Sequence, residues 1–191
     1  MKELEALRGI DVYLIDQLLK NRVNLESKIL DAGCGGGRNI HYLIKSGFDV
    51  TGIDAKAESV QFLQKTYRKK SEQFIHSTLE NFNSSLQFDF IICNAVLHFA
   101  NNHEHFTEMF ASLVNHLKSN GVLFIRMTSN IGLILDQNGV FNLPDGSKRY
   151  LLTRKQVDVL LSEYSLSLLE PVKTVKVEDL RSMTTLVLKK N

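Results

Sequence analysis

Proline and cysteine are both scarce in this chain, and each scarcity excludes something. Only two prolines, Pro144 and Pro171, occur in 191 residues, so there is no polyproline segment and no Pro-rich linker. The two cysteines, Cys34 and Cys93, form no C-x-x-C pair, which disfavours a structural zinc site and a disulfide scaffold alike. No apolar run approaches the ~18 residues of a membrane span. The segment Met1-Lys-Glu-Leu-Glu-Ala-Leu-Arg8 carries acidic charges where a signal peptide would be apolar, so a reducing cytoplasm and no membrane partner are expected. Neither sign of charge dominates: 23 Lys+Arg against 21 Asp+Glu leave a net charge of +2. That gives no electrostatic footprint for duplex nucleic acid, and no DNA partner is expected. What remains is an ordinary globular composition, 43% hydrophobic and 23% charged. A chain of this length buries roughly 70% of its unfolded surface in one core, so residues 1–191 read as a single domain.

Hydrophobic periodicity gives the order of elements. Leu7, Ile10, Leu14 and Leu18 recur at helical spacing over residues 3–21, and 1–26 reads as an N-terminal helical cap. Ile29–Ala32 is a short apolar run ending in glycines, a buried strand. A helix follows over Arg38–Ser46, stopped at Gly47, then a strand over Phe48–Ile53 and a helix marked by Val60, Leu63 and Tyr67. Phe74–His76 and Phe88–Cys93 read as strands, and Phe106, Met109, Phe110, Leu113 and Leu117 as one face of a helix closed by Gly121. Val122–Met127 is the next strand. Thr153-Arg-Lys-Gln156 has capping-box spacing, and two final strands, Leu166–Val177 and Met183–Lys189, are joined around Glu178-Asp179. The order α-β-α-β-α-β-loop-β-α-β-α-β-β implies an α/β fold, a mostly parallel sheet with helices on both faces.

The informative stretch is Ile29-Leu-Asp-Ala-Gly-Cys-Gly-Gly-Gly-Arg-Asn-Ile40, a strand running into a glycine turn that opens a helix. Glycines let the backbone approach a ligand closely, and a helix N-terminus offers free N–H groups. Asp54 ends the following strand, 21 residues after Gly33, where an acidic side chain can accept hydrogen bonds from both ribose hydroxyls of a nucleoside. The dinucleotide pattern G-x-G-x-x-G fails: its third glycine would fall on Arg38 or, one frame later, on Ile40. Asp31 at the strand end repels a pyrophosphate but suits an ammonium group. S-adenosylmethionine carries an ammonium, a carboxylate and a ribose, and no phosphate.

Leu30-Asp-Ala-Gly-Cys-Gly-Gly-Gly37 resembles the first motif of the class I S-adenosylmethionine-dependent methyltransferases, and Val50-Thr-Gly-Ile-Asp54 their acidic loop. Phe88–His98 is similar to their fourth-strand segment and Lys118–Phe124 to their approach to strand five. The resemblance extends loosely to the tellurite-resistance and thiopurine type. It implies a Rossmann-like seven-stranded, mostly parallel sheet with a terminal antiparallel strand, and S-adenosyl-L-methionine as cofactor. It also implies roles: Asp31, with Ala32 beside it, for the ammonium; Gly33, Cys34 and Gly35 under the methionine part; and Arg38 and Asn39 at the start of the helix. Asp54 would hold the ribose with Ala55 beside the adenine, Thr78, Leu79 and Glu80 would frame the adenine edge, and Asn94 and Ala95 would sit near the sulfonium. Relatives commonly carry an acidic residue at the position of Thr78.

Each assignment has a plainer competitor. The glycine run could be a tight turn serving helix–sheet packing only, a reading that its three alternate glycines and two acids disfavour; Asp54 could cap a helix, and Cys93 reads as core. His98, His103 and His105 invite a metal, but H-x4-H-x-H fits no common zinc pattern and none is expected. His98 is the candidate general base, or a histidine packing beside Phe99. Residues 128–152 are long for a βα loop and read as a substrate lid, with Arg126, Arg149, Tyr150 and, from the N-terminal helix, Tyr13 as candidate acceptor contacts. The expected function is methyl transfer to a small-molecule acceptor, by a monomer or homodimer. The alternatives are a methyltransferase for RNA or protein, and a non-catalytic cofactor-binding module.

Overall fold

A computed structural model describes residues 7–132, 139–178 and 181–191. Among these, the helices are α1 (Val12–Leu19), α2 (His41–Lys45), α3 (Ala57–Thr66), α4 (His103–Asn115) and α5 (Arg154–Glu163). The strands are β1 (Lys28–Ala32), β2 (Asp49–Asp54), β3 (Phe74–His76), β4 (Phe88–Asn94), β5 (Leu117–Ser129), β6 (Gly139–Asn142), β7 (Lys148–Leu151), β8 (Leu166–Leu168), β9 (Lys173–Val177) and β10 (Arg181–Lys190). The main sheet runs β3-β2-β1-β4-β5-β10-β8, with β9 also paired to β10. The first five are parallel, while β10 is antiparallel to β5, β8 and β9.

The sheet is covered on both faces because its central strands alternate between two apolar clusters. Ile91, Cys93, Leu123 and Ile125 meet Phe106, Phe110 and Leu113 of α4 and Val157 and Leu160 of α5. Phe90, Ile92 and Phe124 meet Leu14 of α1, Leu43 of α2 and Leu63 of α3. Burying Phe106 and Phe110 contributes about 1.5–3 kcal/mol each.

Several boundaries differ from the sequence reading. The helix expected at Arg38 begins only at His41, because Gly33, Gly35 and Gly37 all take positive φ and hold residues 33–40 in consecutive turns. The strand expected over Leu166–Val177 is two, β8 and β9, interrupted around Pro171, so the sheet has eight strands where seven were expected. Strand β5 starts at Leu117, five residues early, with Asn120 at φ 65° and Gly121 carried inside it. The capping box at Thr153 is half formed. Thr153 Oγ1 accepts from Gln156 N (3.0 Å), whereas the Gln156 amide donates to Tyr150 Oη (2.7 Å). The insert over 128–152 contains the hairpin β6–β7, tied to the end of β5 by a Ser129–Leu152 bridge. Residues 133–138 of the insert, 1–6 of the N-terminal cap and Asp179 of the last connection lie outside the described residues.

Helix α1 is pinned to the ligand end of the sheet. Asp11 caps it by accepting from Tyr13 N (2.9 Å) and takes a 2.7 Å hydrogen bond from Arg126 Nη1 of β5. Removing one partner of such a pair strands the other. Asp11→Ala is therefore expected to cost about 3 kcal/mol in urea unfolding, cap and ion pair together; a loss below about 1 kcal/mol contradicts the pinning.

Candidate functional site

The carboxyl ends of β1, β2 and β4 open onto a cavity of about 610 Å³. Its floor is the turn after β1. Gly33 sits at φ +89°, where a side chain is strained, and an added Cβ would meet Val96 Cγ2 at 2.2 Å. Gly35 and Gly36 face open space, so their backbone lies bare to whatever enters. Gly37 is closed in differently: a Cβ there would meet Leu63 at 2.7 Å and His41 at 2.9 Å.

Asp54, at the end of β2, lines the cavity and is fixed from two sides. Its Oδ2 accepts from Gly35 N and its Oδ1 from Lys56 N, both at 2.8 Å. Each oxygen keeps lone-pair capacity toward the cavity. Asp31 lies behind the floor, 1% exposed, and its Oδ2 is buried without a partner. Burial, with the nearby Asp54 charge adding and Arg38 opposing, pushes its carboxyl up to about 7. The folded protein thus retains a proton that the unfolded chain releases near 3.8, and this group's contribution to stability falls as pH rises from about 4 to about 7. An orphaned buried carboxylate beside a bare glycine turn fits a ligand that is cationic at that end.

Of the residues singled out from sequence, Gly33, Gly35, Asp54, Ala55, Thr78, Leu79, Glu80 and Ala95 line this one cavity. Ala32 and Cys34 are buried under the turn, and burial pushes the Cys34 thiol far up, which suits packing rather than nucleophilic chemistry. Asn39 accepts from Asp11 N (3.2 Å), and Arg38 is exposed at the turn's edge. Asn94 is buried with both amide atoms unpartnered. Ala95 takes φ +62°, uncommon for a residue with a side chain, and donates its N–H to the Arg126 carbonyl at 2.7 Å.

The acceptor candidates separate. Tyr150 is a correction: its ring is fully buried, stacked on Phe106 at 4.6 Å and bonded to His103 Nδ1 (2.9 Å), so it cannot touch an acceptor. Arg126 is engaged by Asp11, with Tyr13 beneath its guanidinium at 5.2 Å, and neither residue lines the cavity. Arg149 lies over Phe99, a cavity residue. His98 is buried against Phe99, and its pKa is lowered to about 4 by burial and by the fields of Arg149 and Arg181. The three histidines diverge: His103 bonds to Tyr150 and His105 faces Glu80 at 3.6 Å.

Sequence reasoning missed Gly36, Lys56, Ser59, Ser77, Val96, Phe99, His105 and Met109 of the cavity wall. Val96 and Phe99 directly follow Asn94-Ala95, a signal within reach. Met109 sits on the core face of α4 and also reaches the cavity, which helical periodicity does not report. A second groove of about 660 Å³ runs along α1 past Leu7, Ile15, Leu18 and Phe48, away from the glycine turn.

Comparison with known proteins gives the family and the fold. The profile of the family described as tellurite resistance protein TehB matches residues 16–131. A ubiquinone biosynthesis O-methyltransferase of Rickettsia akari is 34% identical over 118 residues, 59% of this chain and 45% of its own. The chain thus spans about half the length of the curated relatives it matches. Among solved structures, TehB from Haemophilus influenzae superposes with a TM-score of 0.70 at 22% identity, covering 96% of this chain and 63% of that one. A 1,6-didemethyltoxoflavin-N1-methyltransferase from Burkholderia thailandensis, with 1,6-didemethyltoxoflavin and S-adenosylhomocysteine bound, gives a TM-score of 0.70 at 17% identity, covering 97% of this chain and 79% of that one. These likenesses show the fold, a Rossmann-like methyltransferase sheet.

Gly33→Ala introduces both the strained φ and the Val96 contact, so a loss of about 2–4 kcal/mol in urea unfolding is expected. Trimming the neighbour in Gly33→Ala/Val96→Ala is expected to relieve the contact and leave the backbone strain. A single variant within about 0.5 kcal/mol of the parent would contradict the close packing of the floor.

Proposed function

The chain belongs to the TehB family, and from that premise we propose that it is an S-adenosylmethionine-dependent methyltransferase acting on a small-molecule acceptor. The observation that carries the reading is the pairing of two carboxyls around one bare glycine turn. Asp54 faces the cavity with lone pairs to spare, and Asp31 is buried with Oδ2 unsatisfied. S-adenosylmethionine matches both, with ribose hydroxyls for Asp54 and an ammonium held through water by Asp31 behind the floor. When bound, it supplies a sulfonium methyl already electrophilic enough to be taken by an aligned nucleophile.

The chain's own residues then have limited tasks. Asp54 accepts ribose hydrogen bonds without moving, because Gly35 and Lys56 already hold it. Gly33, Gly35 and Gly36 admit the methionine part to the backbone, and Glu80 and Leu79 border the purine end. Val96, Phe99 and Met109 form an apolar wall that excludes water from the reacting atoms and confines the acceptor. His98, the proposed general base, is buried against Phe99 with Nδ1 unpartnered, and it borders the cavity through Phe99 rather than lining it. We propose that the protein works in the cytoplasm as a monomer or homodimer. Among the described residues no helix is long and apolar enough to cross a membrane.

Isothermal titration with S-adenosylhomocysteine tests the reading. Saturable micromolar binding is expected, weakened at least 30-fold by Asp54→Ala; no binding at high micromolar concentration contradicts it. The pH dependence is a separate check. With Asp31 titrating near 7, a cationic ligand meets a mostly protonated carboxyl at pH 5.5, so S-adenosylmethionine is expected to bind about tenfold more weakly there than at pH 7. Asp31→Asn is expected to flatten that dependence, and an unaltered slope would contradict the ammonium assignment.

A further inference from the structure

The mouth of the cavity carries charge that cofactor binding does not use. Phe99 lines the cavity with 56% of its surface exposed, and the guanidinium of Arg149, from β7 of the insert, lies 4.8 Å from its ring centroid. Arg149 donates from Nη1 to the Lys148 carbonyl (2.8 Å), and among the described residues no carboxylate stands within ion-pair distance of it. Arg181, from β10, is 3.7 Å from Asp145. Hydrogen bonds from Ser147 hold the Asp145 carboxyl low, and the fields of Arg181 and Arg149 add to them. Asp145 thus pairs with Arg181 and stands outside ion-pair distance of Arg149, whose charge has no carboxylate against it among the described residues. His98 packs edge-on against Phe99 at 4.6 Å, buried and neutral, with Nδ1 unpartnered. It neither supplies nor cancels charge.

Beside this cationic corner the wall is apolar, built from Phe99, Val96 and Met109. A small inorganic oxyanion would satisfy the charge and leave that wall bare. A neutral ring would cover the wall and leave the charge unmet. We infer that the methyl acceptor is a planar organic anion, an aromatic or conjugated carboxylate, with its ring along Phe99 and Val96 and its carboxylate on Arg149. The guanidinium suits this because it can lie on an aromatic face while its remaining N–H groups take a carboxylate in a bidentate fork. The inference rests on the methyltransferase reading for the word acceptor, but the anion site stands on its own residues.

The full chain, saturated with S-adenosylhomocysteine, is titrated with benzoate, phenol and sulfate and followed through the His98 ring resonances by NMR. Benzoate is expected to bind saturably, with phenol and sulfate at least tenfold weaker. Bound benzoate favours the imidazolium, so the His98 pKa is expected to rise from about 4 by a unit or more. Arg149→Gln is expected to weaken benzoate at least tenfold while S-adenosylhomocysteine affinity stays within twofold, which also reports that the variant is folded. Phe99→Leu keeps the charge and removes the ring, and is expected to weaken benzoate but not sulfate. Phenol or sulfate binding as tightly as benzoate, no benzoate binding, or benzoate affinity untouched by both substitutions would overturn the inference. Failure of S-adenosylhomocysteine to bind the parent chain would instead overturn the methyltransferase reading, and benzoate titration of the free protein would still report on the anion site.

Discussion

Two backbone N–H groups, from Gly35 and Lys56, converge on the Asp54 carboxylate, and much of the cavity's geometry depends on that convergence. It joins the turn after β1 to the turn after β2, so the glycine floor and the acidic wall cannot drift apart. The same anchoring keeps a negative charge close to Asp31, which is already destabilised by burial. The ionised carboxylate is unfavourable in that position on its own. It becomes favourable when a cation arrives, and binding and charge compensation are then one event.

The rest of the fold serves to hold this arrangement against a packed sheet. Parallel strands β1, β2 and β4 end together at the cavity, and the helices that follow them pack on the two faces of the sheet. Helix α1 is fastened across the same end by Asp11 and Arg126, and the insert by hydrogen bonds that link the buried Tyr150 and Gln156 to His103 at the surface. That network also explains why Arg149 is available at the mouth. Its neighbour Tyr150 points into the core, and along a strand successive side chains alternate in direction.

The sequence was most legible where one local pattern carried both structure and chemistry. The glycine turn and Asp54 at its spacing could be read because close backbone approach and ribose binding each demand a particular residue type, and both lie at the cavity. Alternating apolar runs made the α/β order readable for the same reason. What could not be read was decided by contacts between distant segments. Nothing local marks Arg126 as the partner of Asp11, 115 residues away, so it looked free for an acceptor. Tyr150 looked equally available until Phe106 and His103 filled its surroundings. The division of the late strand at Pro171 and the short α2 were local in cause but depended on pairing partners and positive φ values that periodicity does not report.

The most direct measurement of the central claim is a crystal structure of the chain with S-adenosylhomocysteine. The ribose is expected within hydrogen-bond distance of both Asp54 oxygens, the ammonium on the Asp31 side, and the sulfur between the Gly33–Gly35 turn and Ala95. Ligand density in the apolar groove along α1, or a ribose that makes no contact with Asp54, would contradict it.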